Sequence, residues 1–136
     1  MNKFQKFTLP THHTQRSHLT PIELKDYIDF EPKRIYYVTN VLENTGAHCH
    51  FEEKEFFVVI QGSCIATIDQ GGGIEEIPMQ QGDALYAANY VWHGFIDVSR
   101  DFILLAVSST NYRPDRSDYQ EDYDQYLKVR DEGLSK

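Results

Sequence analysis

The fold is decided by the stretch Gly46-Ala47-His48-Cys49-His50-Phe51-Glu52-Glu53-Lys54-Glu55-Phe56-Phe57-Val58-Val59-Ile60-Gln61-Gly62. Its second half is rich in β-branched and aromatic residues, which favour a strand that stops at the Gln61-Gly62 turn. Because side chains two residues apart on a strand face the same way, His48 and His50 project together while Cys49 points to the opposite face. The stretch therefore predicts a histidine pair on one strand, with Glu55 beside it on the next strand or a bulge.

Short apolar segments separated by turn residues lie on both sides of this stretch. Residues 35–42 form one before it, and the later segments are residues 64–68, 74–77, 84–87, 90–96 and 102–107. The glycine-rich residues 69–73 are typical of a hairpin tip, and residues 81–83 are typical of a turn. Since no helix-length periodicity interrupts residues 35–108, the pattern favours an all-β sandwich or barrel over an α/β fold.

The two ends of the chain differ from this central part. Residues 1–20 predict an N-terminal arm, irregular or at a sheet edge. Its histidines, His12, His13 and His18, lack a regular spacing and a nearby carboxylate, so we interpret them as solvated.

Residues 117–132 predict a short C-terminal helix, because Ser117 to Gln120 resembles a capping box and Gly133 is expected to end it. A packing face against the barrel or a second subunit is indicated by the three- and four-residue spacing of Tyr119, Tyr123, Tyr126, Leu127 and Arg130.

The composition limits the possible function classes. A chain of 136 residues with 40% hydrophobic residues suits one folded domain, residues 1–136. No apolar run approaches the roughly 20 residues that cross a bilayer. The first residues also lack the apolar core of a signal peptide, so we expect a cytoplasmic protein with no membrane partner. The two cysteines are too few for a disulfide framework and are expected to be free thiols.

The charge balance is acidic. The net charge is −8, from 13 Lys and Arg against 21 Asp and Glu, and no basic block interrupts it. Nucleic acid requires a positive surface stripe, so no nucleic-acid partner is expected. An anionic small ligand stays open, because a few placed arginines outweigh a diffuse negative field at close range.

Two groups of residues together resemble the consensus motifs of the cupin superfamily: Gly46, His48, His50, Glu55 and Gly62, then Gly82, Tyr90 and His93. The resemblance implies a single cupin (jelly-roll) β-barrel. In metal-binding cupins the positions equivalent to His48, His50, Glu55 and His93 hold a divalent transition metal, and these ligand types suit iron, manganese, nickel, copper or zinc. The alternative is a barrel whose interior polar residues bind no metal, and the sequence leaves both open.

The flanking sequence resembles a narrower family, the WxcM-like cupins, which are sugar 3,4-ketoisomerases acting on dTDP-4-keto-6-deoxyglucose. The resemblance extends from about Arg16 to Leu127. It rests on Arg16, Leu19, Glu23, Phe30, Lys33 to Val38, Gly46, His48, His50, Gly62-Ser63, Leu85-Tyr86, Val91-Trp92-His93, Asp118-Tyr119 and Asp122-Tyr123.

This resemblance implies a metal-independent tautomerisation without a cofactor, in which the sugar carbonyl moves from C4 to C3 through an enediol. The product would lead to a deoxyamino sugar of a surface glycan, such as a lipopolysaccharide or an S-layer glycan. The implied partners are a nucleotide-sugar substrate and a second copy of the chain in a homodimer.

The resemblance also implies residue roles. By motif position, His50 is assigned as the base and His48 as its partner in proton transfer. Histidine suits this chemistry because imidazole titrates near neutrality without adjustment. Tyr36, Tyr86, Trp92 and His93 are expected to line the barrel interior, and Arg34 or Arg16 to face the nucleotide diphosphate. A plain core role for the aromatic residues and a surface ion pair for Arg34 stay open.

Three positions depart from the family pattern. The ketoisomerases carry arginine where this chain has Thr45, lysine where it has Phe51 and glutamine where it has Glu55. Two alternatives follow: a metal-dependent cupin enzyme that uses the four ligands named above, and a noncatalytic sugar-binding barrel. Glu55 separates these interpretations, because a carboxylate suits a metal better than an amide does.

Overall fold

The computed structural model describes residues 2–136, which form twelve strands, a turn of 3-10 helix at Leu24–Asp26 and one α-helix. The strands are β1 (Phe4–Thr8), β2 (His12–His13), β3 (His18–Leu19), β4 (Arg34–Val38), β5 (Thr45–His50), β6 (Glu55–Gln61), β7 (Ser63–Asp69), β8 (Ile74–Gln80), β9 (Asp83–Ala87), β10 (Trp92–Ile96), β11 (Ile103–Ser108) and β12 (Tyr119–Gln120). The helix α1 is Tyr123–Leu134.

Two five-stranded antiparallel sheets make up the body of the molecule. The first has the strand order β1-β9-β6-β11-β4 and the second the order β12-β5-β10-β7-β8. Phe57 of the first sheet meets Phe95 of the second with ring centroids 5.2 Å apart, so the two sheets share one apolar core. The prediction of an all-β fold with a short C-terminal helix is confirmed.

The histidine strand β5 lies between β10 and β12. His93 on β10 is directly opposite His48, and Tyr119 on β12 is directly opposite His50. Glu55 begins β6 in the other sheet, so the two sheets approach each other where the histidines and the carboxylate point inward. Cys49 points to the opposite face, where it is buried beneath α1 with Trp92 and Tyr126, and both cysteines are free thiols, as predicted.

The helix begins later than the sequence pattern predicts. Asp122, not Ser117, is its N-cap, and the Asp122 carboxylate accepts a hydrogen bond from the Gln125 backbone N–H at 3.1 Å. Tyr119 lies in β12, because pairing with β5 satisfies its backbone better than a helical turn would. Gly133 lies inside the helix, where its missing side chain lets the backbone pack on the Tyr90 ring.

Two further boundaries differ from the prediction. The strand expected over residues 35–42 ends at Val38. The strand expected over residues 74–77 continues through Pro78 to Gln80, because β8 is at a sheet edge and an edge strand tolerates a residue without an N–H.

The N-terminal arm is an edge element, as one of the two expectations had it. Strand β1 pairs with β9, and β2 and β3 form a separate small hairpin whose residues His12, His13 and His18 are exposed. The only α-helix within residues 2–136 is too short to span a bilayer.

Candidate active site

Three histidines lie against one another at one end of the barrel. The Nε2 atoms of His48 and His50 are 3.0 Å apart, and the His93 ring is 4.8 Å from the His48 ring. His93 Nδ1 is 3.1 Å from the Val91 carbonyl oxygen, which can only accept, so Nδ1 carries a proton. The strand register thus brings together the histidines that the sequence predicts to be neighbours.

Glu55 faces the same point from the opposite sheet. Its Oε1 lies 2.9 Å from His50 Nε2 and 3.5 Å from His93 Nε2, and its Oε2 accepts a hydrogen bond from the Tyr36 hydroxyl. The donor atoms of His48, His50, Glu55 and His93 all lie within 4.8 Å of one another. The four residues therefore converge on one small volume.

Two acids that the sequence analysis did not select complete the surroundings of His50. Glu53 Oε2 lies 3.2 Å from His50 Nε2, and Asp118 Oδ2 lies 3.4 Å from His50 Nδ1. Asp118 also accepts the backbone N–H groups of Glu52 and Glu53 at 2.7 and 3.1 Å, which fixes the turn after β5. One buried imidazole thus faces three carboxylates.

These surroundings separate the pKa values of the two neighbouring histidines. Burial alone would lower the pKa of His50, but its contacts with Asp118 and Glu55 outweigh burial and raise that pKa to about 9. Burial lowers the pKa of His48 to about 2, and the positive charges that His93 and His50 can carry lower it further. At neutral pH His50 is an imidazolium and His48 is a neutral imidazole.

The pKa values of the two glutamates and the tyrosine of the site follow from the same contacts. Burial opposes ionisation of Glu55, but the histidines His50 and His93 hold its pKa well below the usual range. Burial and the neighbouring Glu55 carboxylate raise the pKa of Glu53. Burial, then Glu55, raises the pKa of Tyr36, so its hydroxyl keeps its proton. Glu55 is accordingly the anion that faces the His50 cation.

A cavity of about 650 Å³ opens above this cluster. Of the residues predicted for the site, Arg34, Tyr36, His48 and His93 line it. His50 and Glu55 lie behind that lining, with exposed fractions of 3% and 1%. The remaining wall includes Thr45, Tyr112, Arg116, Tyr119 and Glu121. His48 is thus the member of the histidine pair that a ligand in the cavity would touch.

Three residues expected in the barrel interior or at the ligand lie elsewhere. Trp92 precedes the inward-facing His93, so strand alternation turns it outward onto Tyr123 and Tyr126 of α1. Tyr86 points away from the cavity, packs on Phe30 and donates a hydrogen bond to Asp29 at 2.6 Å. Arg16 is exposed in the turn of the β2–β3 hairpin and does not line this cavity.

The residues that the sequence analysis missed come from irregular segments. Glu53 lies in the turn between β5 and β6, and Asp118 and Arg116 lie in the loop before β12. Strand alternation gives no information about such positions, since they have no period. One sequence signal could have found Asp118: the pair Asp118-Tyr119 is part of the family resemblance, although no role was assigned to either residue.

The three departures from the family pattern fall in different places. Thr45 lines the cavity, so the missing arginine removes a positive charge from the wall. Phe51 packs on the Tyr90 ring, with centroids 5.6 Å apart, and is not part of the wall. Glu55 lies within the histidine cluster itself.

The cluster also has a donor set that fits a divalent transition metal. Metal bonds of about 2.0–2.2 Å to nitrogen and oxygen place two ligand atoms roughly 3 Å or more apart. The separations here agree with this: His50 Nε2 lies 2.9 Å from Glu55 Oε1 and 3.0 Å from His48 Nε2, and His93 Nε2 lies 3.5 Å from Glu55 Oε1. Within residues 2–136, Glu55 Oε1 and His93 Nε2 are buried without a hydrogen-bond partner. Residues His48, His50, Glu55 and His93 are the ones that would hold such an ion.

A two-sheet barrel with inward histidines and a carboxylate at one end defines the chain as a cupin. The family model FdtA, described as WxcM-like, C-terminal, matches residues 2–131. The chain therefore belongs to the WxcM-like family, as the resemblance implied.

Individual relatives agree with this assignment. The TDP-4-oxo-6-deoxy-alpha-D-glucose-3,4-oxoisomerase of Aneurinibacillus thermoaerophilus is 34% identical over 116 residues, which cover 83% of this chain and 82% of that protein. A 3,4-ketoisomerase from Helicobacter canadensis superposes with a TM-score of 0.84 at 25% identity, covering 96% of this chain and 99% of that one. The sugar 3,4-ketoisomerase QdtA of Thermoanaerobacterium thermosaccharolyticum, solved in complex with TDP, has a TM-score of 0.84 at 26% identity and covers 96% of both chains.

Proposed function

We propose that this chain is a sugar-nucleotide 3,4-ketoisomerase that moves the carbonyl of a dTDP-4-keto-6-deoxyhexose between C4 and C3. The observation that carries the proposal is the His48–His50 pair, one neutral imidazole on the cavity wall in contact with one imidazolium behind it. The 34% identical relative, which its name describes as a 3,4-oxoisomerase, supports the same reaction.

The reaction is an isomerisation that needs one proton acceptor and one proton donor at the sugar. A base removes the proton from C3 while the C4 carbonyl oxygen gains one, which gives an enediol. Return of a proton to C4 and loss of the proton on the C3 oxygen complete the shift, so no atom is gained or lost. A neutral imidazole beside an imidazolium supplies both functions without outside protons.

The division of roles within the pair is part of the proposal. The sequence pattern assigned His50 as the base. The geometry favours His48 for that step, because it lines the cavity while His50 lies behind the lining, and because it is uncharged at neutral pH. His50 holds a proton at neutral pH and can pass it through the 3.0 Å contact. Tyr36, whose hydroxyl stays protonated, is a second donor on the wall.

The proposal is tested by incubating the purified chain with dTDP-4-keto-6-deoxyglucose in deuterium oxide. We expect deuterium at C3 and the appearance of a 3-keto product in the proton NMR spectrum. Absence of exchange, both with and without added divalent metal, would contradict the substrate assignment.

A metal-dependent reaction is the second candidate, and the converging donor set favours it. If bound at His48, His50, Glu55 and His93, a divalent ion would act as a Lewis acid on a carbonyl or enediolate oxygen. The variant Glu55→Gln distinguishes a metal-free enzyme from a metal-dependent one, because it introduces the amide that the family pattern has at this position.

For a metal-free isomerase, we expect Glu55→Gln to retain turnover, because the amide is the group that the family pattern carries here, and to lower the pKa of His50, because that imidazole loses the Glu55 carboxylate. We also expect both proteins to show no stoichiometric metal by elemental analysis and no binding of Mn²⁺ or Zn²⁺ by calorimetry. Stoichiometric metal in the parent chain that is lost in Glu55→Gln would support the second candidate instead.

The proposed assembly is a homodimer. Strand β4 is at the edge of its sheet, and its outward residues Ile35 and Tyr37 are 65% and 70% exposed. Apolar side chains on an open edge strand favour association with another chain. In keeping with a nucleotide-activated substrate, we also place the reaction in the cytoplasm and its product in the assembly of a surface glycan.

A further inference from the structure

The mouth of the cavity is formed in part by the segment between β11 and β12. From this segment Tyr112 and Arg116 line the cavity, and Tyr119 and Glu121 continue the wall just beyond it. These four residues add polar groups to the wall, among them one of its two arginines. Apart from Asp118, which faces His50, the residues of this segment have no part in the proton transfer described above.

Arg116 is connected to the histidine pair through one aromatic ring. Its guanidinium carbon lies 4.1 Å from the centre of the Tyr119 ring. That ring in turn lies 4.5 Å from the His50 ring and 4.9 Å from the His48 ring. The cation is therefore held at the mouth, one ring away from the reacting end of the cavity.

The backbone holds Arg116 in place at some cost. Its φ of 56° is in the left-handed region, which side chains other than glycine, asparagine and aspartate rarely adopt. The turn is closed by hydrogen bonds from Arg116 N to the Arg113 carbonyl at 3.0 Å and from Tyr119 N to the Arg116 carbonyl at 3.1 Å. Strained residues held by their surroundings cluster at ligand sites.

The charges of the wall leave Arg116 as the exchangeable cation. Arg34 is the other arginine that lines the cavity, but its side chain is 20% exposed and bonded to the buried Glu53 at 2.9 Å. The Arg116 side chain is 47% exposed, and its partner Glu121 is 58% exposed. An exposed ion pair of this kind contributes little to stability and is readily exchanged for another anion. Thr45, where the family pattern has arginine, adds no charge.

We propose that Arg116 binds the diphosphate of the nucleotide sugar, and that it exchanges Glu121 for the phosphate oxygens when the ligand enters. The inference rests on the proposed function for the identity of the substrate. A guanidinium offers paired N–H donors that match phosphate oxygens, and it stacks on an aromatic ring while doing so. Arg116 thus supplies the positive charge that the wall lacks at Thr45.

The test is calorimetric binding of dTDP and of thymidine, which has no phosphate, to Arg116→Asn. Asparagine tolerates the left-handed backbone, so the turn is kept while the charge is removed. The matched control is Arg113→Ala in the same loop. Arg113 is also about half exposed and paired with a glutamate, Glu52, but it does not line the cavity.

We expect Arg116→Asn to weaken dTDP binding about 10- to 100-fold, as loss of a hydrogen-bonded charge does. Thymidine binding should change less than about threefold, and Arg113→Ala should change dTDP binding less than about threefold. Glu121→Gln should strengthen dTDP binding severalfold, because the competing carboxylate is removed.

The inference would be overturned if Arg116→Asn and Arg113→Ala weakened dTDP binding equally, or if Arg116→Asn weakened the binding of dTDP and of thymidine equally. Isomerase turnover by the parent chain would in that case still support the proposed function. Conversely, a parent chain that binds dTDP through Arg116 without converting the keto sugar would overturn the proposed function alone. A parent chain that binds no dTDP would overturn both.

Discussion

Two buried carboxylates, Asp69 and Glu55, show how differently this barrel uses a charge. Asp69 is 0% exposed and Glu55 is 1% exposed. Asp69 accepts hydrogen bonds from Gly71 N at 2.8 Å, from the Tyr123 hydroxyl at 2.6 Å and from the Arg130 guanidinium at 3.2 Å. In Glu55, Oε1 lies near two histidines without a hydrogen bond of proper geometry.

The difference separates a structural charge from a functional one. A buried carboxylate with every oxygen bonded fixes one arrangement, and Asp69 in this way ties α1 to the second sheet. In the Glu55 cluster, buried acceptor atoms are left without a bonded donor from residues 2–136, so a proton has more than one atom to occupy. Mutations at the two places should therefore affect different quantities.

The largest expected effect is on turnover. His48→Asn should lower kcat about 10²- to 10⁴-fold, because it removes the group proposed to take a proton from the sugar. Thermal unfolding should change little, since the lost side chain is neutral and half-buried. Steady-state kinetics with dTDP-4-keto-6-deoxyglucose, together with a melting curve, give both quantities.

The matched control for this variant is His13→Asn. His13 and His18 form a second histidine pair, which lies in the N-terminal hairpin, with ring centroids 4.3 Å apart. Both are exposed and lie outside the active-site cavity. A similar loss of turnover in both variants would show that the effect of His48→Asn is not specific to the site.

The next effect is on stability and concerns Asp69. Asp69→Ala should lower the free energy of unfolding by about 3–5 kcal/mol, because it breaks a buried ion pair and leaves two donors of α1 without their acceptor. Turnover of the folded fraction should stay within a few-fold of the parent chain. Urea unfolding followed by tyrosine and tryptophan fluorescence measures the change.

Tyr123→Phe provides the graded comparison, because it removes only one neutral donor to Asp69, at a cost of about 0.5–1.5 kcal/mol. If Asp69→Ala instead abolished turnover without loss of stability, the distinction between the two carboxylates would be wrong.

The smallest expected effect is on the pH dependence of stability, which differs between the regions of Glu55 and Asp69. Burial lowers the pKa of His50, but Asp118 and Glu55 raise it from 6.5 to about 9. Its contribution to stability is therefore complete below pH 6.5 and is lost as the pH rises through about 9. The difference corresponds to roughly 3 kcal/mol, and urea titrations at both ends of this range measure it.

Asp69 behaves in the opposite way. Burial raises its pKa, but Tyr123, Gly71 and Arg130 lower it below 3.8, so its contribution is present above that pH and is lost only on acidification. A His50→Asn variant should abolish the alkaline loss, and Asp69→Ala should retain it. The profile of kcat/KM should likewise fall as pH rises through about 9. A rise through that range would return the role of base to His50.

Much of the fold could be predicted from the sequence because it depends on local patterns. The β-branched segments gave the strands, and the two-residue spacing placed His48 and His50 on one face. The same rule could have turned Trp92 outward, since it adjoins the inward-facing His93. The predicted start of the helix was wrong because Ser117 and Asp122 are both suitable N-cap residues. The pairing of β12 with β5 decides between them.

The rest of the site depends on contacts between distant parts of the chain. Asp118 reaches His50 from the loop before β12, and Glu53 faces the cluster from a turn. Tyr86 points away because its register partner is Phe56, the outward neighbour of Glu55. No local pattern contains such a register, so these positions followed only from the assembled barrel.

The pairing of β12 with β5 has a consequence for how the protein is made. Chains leave the ribosome from the amino end, so β5 emerges while residues 118–120 have yet to be translated. Until they arrive, the histidine strand is an open edge, and His50 lacks the Asp118 carboxylate that holds its proton. Until β12 pairs with β5, the charge of His50 is supported by Glu55 and Glu53 but not by Asp118. The surroundings of His50 are therefore completed only by one of the last segments of the chain to be translated.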